Sequence, residues 1–331
     1  MKRILLAICP ALIGLTVADI GAQSQLARYR VVSSGGKTAE FETQLNEAVK
    51  TGYQLRWGSA AAQIAILEKS SEPPREYRVM TDLRKGIAKI EPGFRIVPQT
   101  ASGVDRVILE RSPQTDRGAA YDGVFAFNTT RGLERDLLKR VGDGYRPISM
   151  SEWQGNYGIL VERNNPQANG IGTADPQRKP YLVLATTQTG TMTKELLDAA
   201  AQGYRVVSAA GARDVVILMQ HTGQRADYQL VATERTDTFE SELNAAAATG
   251  YRLLPTALFW TTRRAALRGQ ITELIGVVEK QPDARPLYYR LLAVRRVPTL
   301  AAELAAAASD GYEFSTMATG AELAVVLHKQ P

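Results

Sequence analysis

Hydrophobic and polar positions along the chain follow one order six times. An apolar stretch opens on Tyr29, Tyr77, Tyr121, Tyr181, Tyr228 or Tyr289. Its composition, as in Tyr-Leu-Val-Leu-Ala from position 181, favours a strand. A stripe at helical spacing follows. Phe41, Leu133, Met192, Phe239 and Leu300 each stand four residues before Leu45, Leu137, Leu196, Leu243 and Leu304. Ala48, Ala199, Ala246 and Ala307 carry the stripe one turn further, so the spacing predicts one buried helix face. Next comes Gly plus an aromatic: Gly52-Tyr53, Gly93-Phe94, Gly144-Tyr145, Gly203-Tyr204, Gly250-Tyr251 and Gly311-Tyr312. The Gly suits the left-handed residue that ends a helix, and the aromatic starts a second strand. A third apolar stretch with a polar end closes each unit, such as Ile66-Leu67-Glu68-Lys69. Each unit therefore reads β-α-β-β. In unit 2 the opening Tyr and the second aromatic are 17 residues apart instead of 23 or 24. A single helical turn or a loop is expected there.

The fold class is α+β, with tandem repeats over 28–70, 76–112, 120–164, 181–221, 227–281 and 287–331. A right-handed crossover sets strands 1 and 2 of a unit parallel. The simplest sheet puts strand 3 between them, antiparallel to both, as in half of a ferredoxin-like fold. The helix covers one sheet face, yet stretches 181–185 and 215–218 are apolar on both faces. Neighbouring units are therefore expected to pack face to face, pair edge to edge, or both, since about 45 residues alone bury little. Unpaired edges also offer a route to self-association. The segment 165–180, rich in Asn, Gly, Gln and Pro, reads as a linker between two halves of three units. Trp57, Trp153 and Trp260 fall in odd-numbered units and suggest three pairs instead.

Charges at the strand ends fit a hairpin. The residue starting the second strand faces the residue ending the third. That sets Arg95 opposite Glu110, Arg146 opposite Glu162, Arg252 opposite Glu279 and, with signs exchanged, Glu313 opposite His328. These pairs read as structural cross-strand contacts. Arg205 lacks such a partner, because Met219 takes its place.

The unit resembles a small bacterial β-α-β-β domain family of unknown function. Its members read Tyr-x-Val, a Leu-rich helix with a Leu-Asn step, Gly-Trp or Gly-Tyr, then a strand ending in Glu or Lys/Arg. Leu45-Asn46 with Gly52-Tyr53, and Leu243-Asn244 with Gly250-Tyr251, match best. Tyr or Phe stands where the family has Trp. The shared motif is a folding signature and implies no catalytic residue.

The first residues concern export. Lys2 and Arg3 precede an apolar run over 4–17, and small residues lead to Ala22. This is the order of a secretory signal cleaved after Ala22, with a retained anchor as the alternative. The run is shorter than the roughly 20 residues that span a bilayer, and no later segment is long enough. An exported chain, periplasmic or extracellular, is expected. Cys9 follows Ile8 and not a small residue, which argues against a lipoprotein signal. Cleavage takes Cys9 away and lowers the formal charge of +6 to +5.

Composition narrows the chemistry. One Cys and two His among 331 residues exclude a Cys-based zinc site and a disulfide framework. His221 and His328 have no nearby partner of ligand type, so neither a metal nor a cofactor is expected. No phosphate loop, nucleophile elbow or zinc-protease motif occurs. Asn169-Gly-Ile-Gly-Thr reads as linker, and basic residues are too dispersed to favour nucleic acid. The unit 5 hairpin is unusually long and sets Trp260 beside Arg263, Arg264 and Arg268. These residues could grip an anion, a sugar or a protein, or else pack on a neighbour. Trp153 and Tyr157 in the unit 3 hairpin form the second candidate. The leading reading is a non-enzymatic binding or structural scaffold for an envelope component or protein. The alternative is an exported hydrolase of envelope polymers, with carboxylates assembled across repeats.

Overall fold

The computed structural model describes residues 27–100, 106–113, 120–126, 130–153, 156–163, 177–265, 269–282 and 284–331. Unit 1 holds β1 (Tyr29–Ser33), α1 (Thr38–Lys50), β2 (Tyr53–Ser59) and β3 (Ile64–Lys69). Unit 2 holds β4 (Glu76–Thr81), a single turn α2 (Leu83–Gly86), β5 (Phe94–Ile96) and β6 (Arg106–Arg111). Unit 3 holds β7 (Ala120–Ala126), α3 (Thr130–Gly142), β8 (Arg146–Trp153) and β9 (Asn156–Arg163). Unit 4 holds β10 (Tyr181–Thr186), α4 (Thr189–Ala201), β11 (Tyr204–Gly211) and β12 (Val215–His221). Unit 5 holds β13 (Tyr228–Thr233), α5 (Thr236–Ala248), β14 (Tyr251–Ala265) and β15 (Gly269–Lys280). Unit 6 holds β16 (Tyr288–Val294), α6 (Val297–Ser309), β17 (Glu313–Thr319) and β18 (Leu323–Lys329). Each sheet has three strands, with the third strand of its unit in the middle and antiparallel to both edges. The helices bury the expected stripe, as with Phe41, Leu45 and Ala48. The six glycines that end the helical segments have φ between +83° and +91°, where a side chain is strained.

The units pack face to face around a closed ring. Residues of the middle strands divide alternately between two cores, because strand side chains point to opposite faces. Ala65 and Leu67 of β3 join the core shared with unit 2, while Ile64 and Ile66 join the core shared with unit 6. In β18, Val325 and Leu327 face unit 1, and Ala324 and Val326 face unit 5. Six such cores exist, one between each unit and the next, and the one between units 6 and 1 completes the circle. Units 3 and 4 share a core like every other pair, so the long spacer marks no break in packing. Residues 164–176 of that spacer, the hairpin tip 266–268 and the signal region lie outside the described residues.

Two repeated devices lock the seams. The hydroxyl of the opening Tyr accepts the N–H of the third residue after the preceding unit's Gly. The pairs are Tyr77 with Leu55, Tyr121 with Ile96, Tyr228 with Val206, Tyr289 with Leu253 and Tyr29 with Phe314, at 2.9–3.2 Å. At the seam of units 3 and 4 the donor's place is taken by Pro147, which has no N–H. Burial raises these phenols above their ordinary range, Tyr181 to about 12.

The second device explains the Leu-Asn step. Asn46 on α1 donates to the Tyr77 carbonyl at 2.8 Å and accepts the Tyr77 N–H at 2.9 Å. Asn244 on α5 treats Tyr289 the same way. Glu42, Glu134 and Glu240 accept the N–H of Val79, Val183 and Leu291. Helix side chains thus occupy the edges of β4, β10 and β16, which a second chain would otherwise pair with. Asn46→Ala strands both backbone groups of Tyr77, whose residue is 0% exposed. We expect a loss of about 2 kcal/mol by urea unfolding with an unchanged slope. A loss under about 0.5 kcal/mol would show that the clamp is incidental.

The charge pairs hold in three units and exchange partners in two. Arg95 reaches Glu110 at 2.7 Å, and Arg146 reaches Glu162 with Nε at 3.0 Å. Glu313 lies 3.8 Å from His328 and also receives Arg28 of unit 1 at 3.1 Å. Burial lowers the His328 pKa below its usual value, an effect only partly offset by Glu313. Arg252 stands opposite Glu279 in register, but its guanidinium goes to the carbonyls of Ala247, Tyr251 and Arg285. Glu279 instead takes Arg205 of unit 4, which faces Gln220 in its own sheet. The carboxylate sits at a seam, so a neighbour's arginine reaches it as readily as the cross-strand one.

The basic end of the third strand has a further role. Lys69, Arg111, Arg163, Lys280 and Lys329 lie 4.8–5.7 Å over the ring that follows the Gly. In unit 4, His221 meets Tyr204 edge to face. The Lys69 and Lys329 ammonium groups also bond carbonyls at the end of the helix, at 2.5 and 2.6 Å.

Candidate functional site: the central cavity

The second strands of units 1, 3, 4, 5 and 6 bend on the side of the sheets nearest the ring axis. In β2, β8, β11 and β17 the register against the third strand shifts by one residue; in β14 it shifts by three, with residues 254–257 standing against Val277. Such bulges re-aim the strand. The bent segments are cross-linked around the axis. Thr316 donates to the Pro255 carbonyl at 2.8 Å, and Thr256 donates to the Val207 carbonyl at 2.9 Å. The Ser208 hydroxyl accepts the Met150 N–H at 3.3 Å. Seven residues after each Gly stand Ser59, Thr100, Ser151, Ala210, Ala257 and Ala318, all small and all buried. Four of them, Ser59, Ser151, Ala210 and Ala318, border the space at the axis, which their small side chains leave unfilled.

A cavity of about 700 Å³ remains on the axis, and all six units line it. That size is within the range of small-molecule sites. Its apolar wall includes Trp57, Leu258, Trp260 and Met317, and its polar wall is mainly Ser and Thr. Arg106 and Glu152 are the charged residues among the described lining. Four buried polar side-chain atoms have no hydrogen-bond partner among the described residues: Ser149 Oγ, Ser151 Oγ, Trp260 Nε1 and His221 Nδ1. The first three belong to residues of the cavity wall.

The residues singled out in the sequence go to different places. Trp260 reaches the cavity, wedged with Phe259 between two glycines. A Cβ on Gly320 would stand 2.4 Å from the Trp260 ring, and one on Gly211 would stand 2.4 Å from the Phe259 ring. Packing on a neighbour thus accounts for the aromatic pair, while the indole N–H remains unmatched. Arg263 and Arg264 lie on β14 and Trp153 ends β8; their side chains, and all of Arg268, fall outside the described residues. Tyr157 is a joint between units. Its hydroxyl donates to the Asp214 carbonyl at 2.7 Å and accepts the N–H groups of Ala212 and Asp214 at 3.1 and 3.3 Å. Its hydroxyl is thus engaged between units 3 and 4, and Tyr157 is not part of the cavity wall. Sequence reasoning missed Trp57, Ser149 and Ser151. The run of small residues seven places after each Gly was the available signal.

Among the described residues no three His, Cys, Asp or Glu side chains gather as a metal site, and no helix is long and apolar enough to cross a membrane. Comparison with protein-family models, curated proteins and solved structures finds no match.

Proposed function

We propose that the chain is an exported, non-enzymatic binding scaffold that takes its ligand in the central cavity. The observation that carries this reading is that all six units contribute to the cavity wall. The site therefore exists only in the complete ring. Export is supported by the charged, apolar and small-residue order of positions 1–22. The hydrolase reading has no specific support, since two-carboxylate hydrolysis needs a facing pair and the described wall offers Glu152.

Thermal-shift screening against small molecules of several charge classes tests the binding role. Ala61 is exposed and belongs to the cavity wall, so Ala61→Trp narrows the entrance without disturbing a core. Hits should stabilise the parent chain and lose their effect on Ala61→Trp. Shifts that persist in that variant, or none from any class, would overturn the reading. Export is checked separately by sequencing the N-terminus of envelope-fraction protein, with Gln23 expected as the first residue.

A further inference from the structure

We infer that the ring opens and closes at the seam between units 6 and 1, which lacks the side-chain locks that hold its counterparts. Every other pair of neighbouring units is consecutive in the chain. A link keeps each such pair at high effective concentration. Units 1 and 6 have no link, and only the five intact seams between them bring their faces together. The apolar core they share, with Tyr29, Ile66, Val325 and Leu327, favours the closed form.

The locks are missing on the helix side and at the axis. Glu42 and Asn46 stand ten and six residues before Gly52, and Glu240 and Asn244 stand at the same offsets before Gly250. Each pair takes backbone groups of the next unit's opening strand. Before Gly311 the same offsets hold Ala301 and Ala305, both exposed on α6. A methyl group makes no such bond. Among the described residues no side chain takes the N–H or carbonyl of Tyr29 or the N–H of Val31, the counterparts of the clamped groups. At the axis, Thr316 ties β17 to β14, and Thr256 ties β14 to β11. Among the described residues no hydrogen bond ties β17 to β2. Two polar contacts cross the seam at its outer end. The Tyr29 hydroxyl accepts the Phe314 N–H at 2.9 Å, and Arg28 reaches Glu313 at 3.1 Å. Both charged side chains are at least 40% exposed, so water screens that ion pair.

The seam between units 4 and 5 makes the contrast. Thr193 and Leu197 hold its clamp positions. There, however, Arg205 pairs with the buried Glu279, and the Ala212 carbonyl accepts the Thr261 hydroxyl at 2.9 Å and the Thr262 N–H at 2.7 Å. Local openings start where the fewest contacts hold. Opening between units 6 and 1 uncovers Tyr29, Ile66, Val325 and Leu327, and it parts the cavity wall between Trp57 and Met317. This holds whether or not the cavity takes a ligand.

The amides bonded to the opening tyrosines are matched reporters, since each meets the same kind of hydroxyl at a different seam. Hydrogen exchange of the full chain, read at residue resolution, should show the Phe314 N–H exchanging about tenfold faster than those of Leu55 and Leu253. Ala301→Glu/Ala305→Asn supplies the absent clamp on an exposed helix face. It should slow Phe314 to the rate of Leu253 and leave Leu55 unchanged. A covalent lock is the second route. In a Cys9→Ser chain carrying Arg28→Cys/Glu313→Cys, joining the two thiols with a bismaleimide should slow exchange at Phe314 and leave Leu253 unchanged. Phe314 exchange as slow as that of Leu253 in the parent, or unaltered by both the clamp and the lock, would overturn the inference.

Discussion

Removing unit 6, residues 287–331, should abolish cooperative unfolding of the whole chain. In an open array each repeat touches only its neighbours, so a lost terminal repeat leaves the rest folded. Here the deletion opens two cores at once. Phe239, Leu243 and Leu274 of unit 5 lose their cover, as do Tyr29, Ile64 and Ile66 of unit 1. At about 2 kcal/mol for each large apolar side chain returned to water, six such losses amount to about 12 kcal/mol. That is comparable with the entire stability of an ordinary domain. The cavity also loses one of its six walls. Calorimetry of the 27–286 chain should show no sharp transition, with strong binding of a hydrophobic dye. A sharp transition within a few degrees of the parent's would contradict a closed ring.

Replacing Glu110 should have the largest effect of any single polar change, and the effect should depend on pH. Its side chain is 3% exposed and receives Arg95 at 2.7 Å, Arg75 at 2.9 Å and the Tyr77 hydroxyl at 3.1 Å. Tyr77 in turn accepts the Leu55 N–H, so the carboxylate anchors a chain of bonds across the seam of units 1 and 2. Burial pushes the Glu110 carboxyl up, and the hydrogen bonds from Arg95 and Arg75 more than reverse this, leaving it below the usual range. Burial, with a smaller contribution from the same carboxylate, holds the Tyr77 phenol far above its ordinary value. Glu110→Gln keeps the shape and removes the charge facing two guanidinium groups. Arg95 is about half exposed, which moderates the cost to about 2–3 kcal/mol near pH 7. The sign with pH follows from the lowered value. The carboxylate's contribution is complete above the unfolded-state pKa of about 4.3, and it fades as pH falls through the depressed folded value. Urea unfolding of parent and variant should therefore converge in acid. A gap that stays constant from pH 7 to pH 3 would mean the loss is one of packing and not of charge. Glu162→Gln is the contrast, since Arg146 is mostly exposed and its pair should contribute under about 1 kcal/mol.

The units were legible because their signals are local. The Phe41, Leu45, Ala48 stripe, the Gly before Tyr53 and the Glu68-Lys69 ending all lie within one helix or hairpin. The two-sided apolar character of stretches such as 215–218 also showed that a second face had to be covered. Closure was not legible, because it depends on contacts such as Tyr29 with Phe314, separated by 285 residues. Nor was the exchange that gives Glu279 to Arg205, since cross-strand register does not describe the third dimension in which the sheets stack. The Leu-Asn step was visible as a pattern, but its purpose lies in the backbone of the next unit, where Asn46 clasps Tyr77. The cavity was hidden for a related reason. Ser149 and Ser151 look like ordinary strand residues until bulges in five of the six second strands bring all six units to one cavity wall.

Closure of the ring is the claim on which the cavity depends, and the contact of Arg28 with Glu313 at 3.1 Å gives direct access to it. With Cys9 changed to Ser, cysteines in place of Arg28 and Glu313 can be joined by a short bismaleimide in dilute protein. The account predicts one intramolecular link in a product of monomer mass, with Arg28 and Glu313 positions found in the same cross-linked peptide. Failure to link, or linkage only between separate chains, would contradict it.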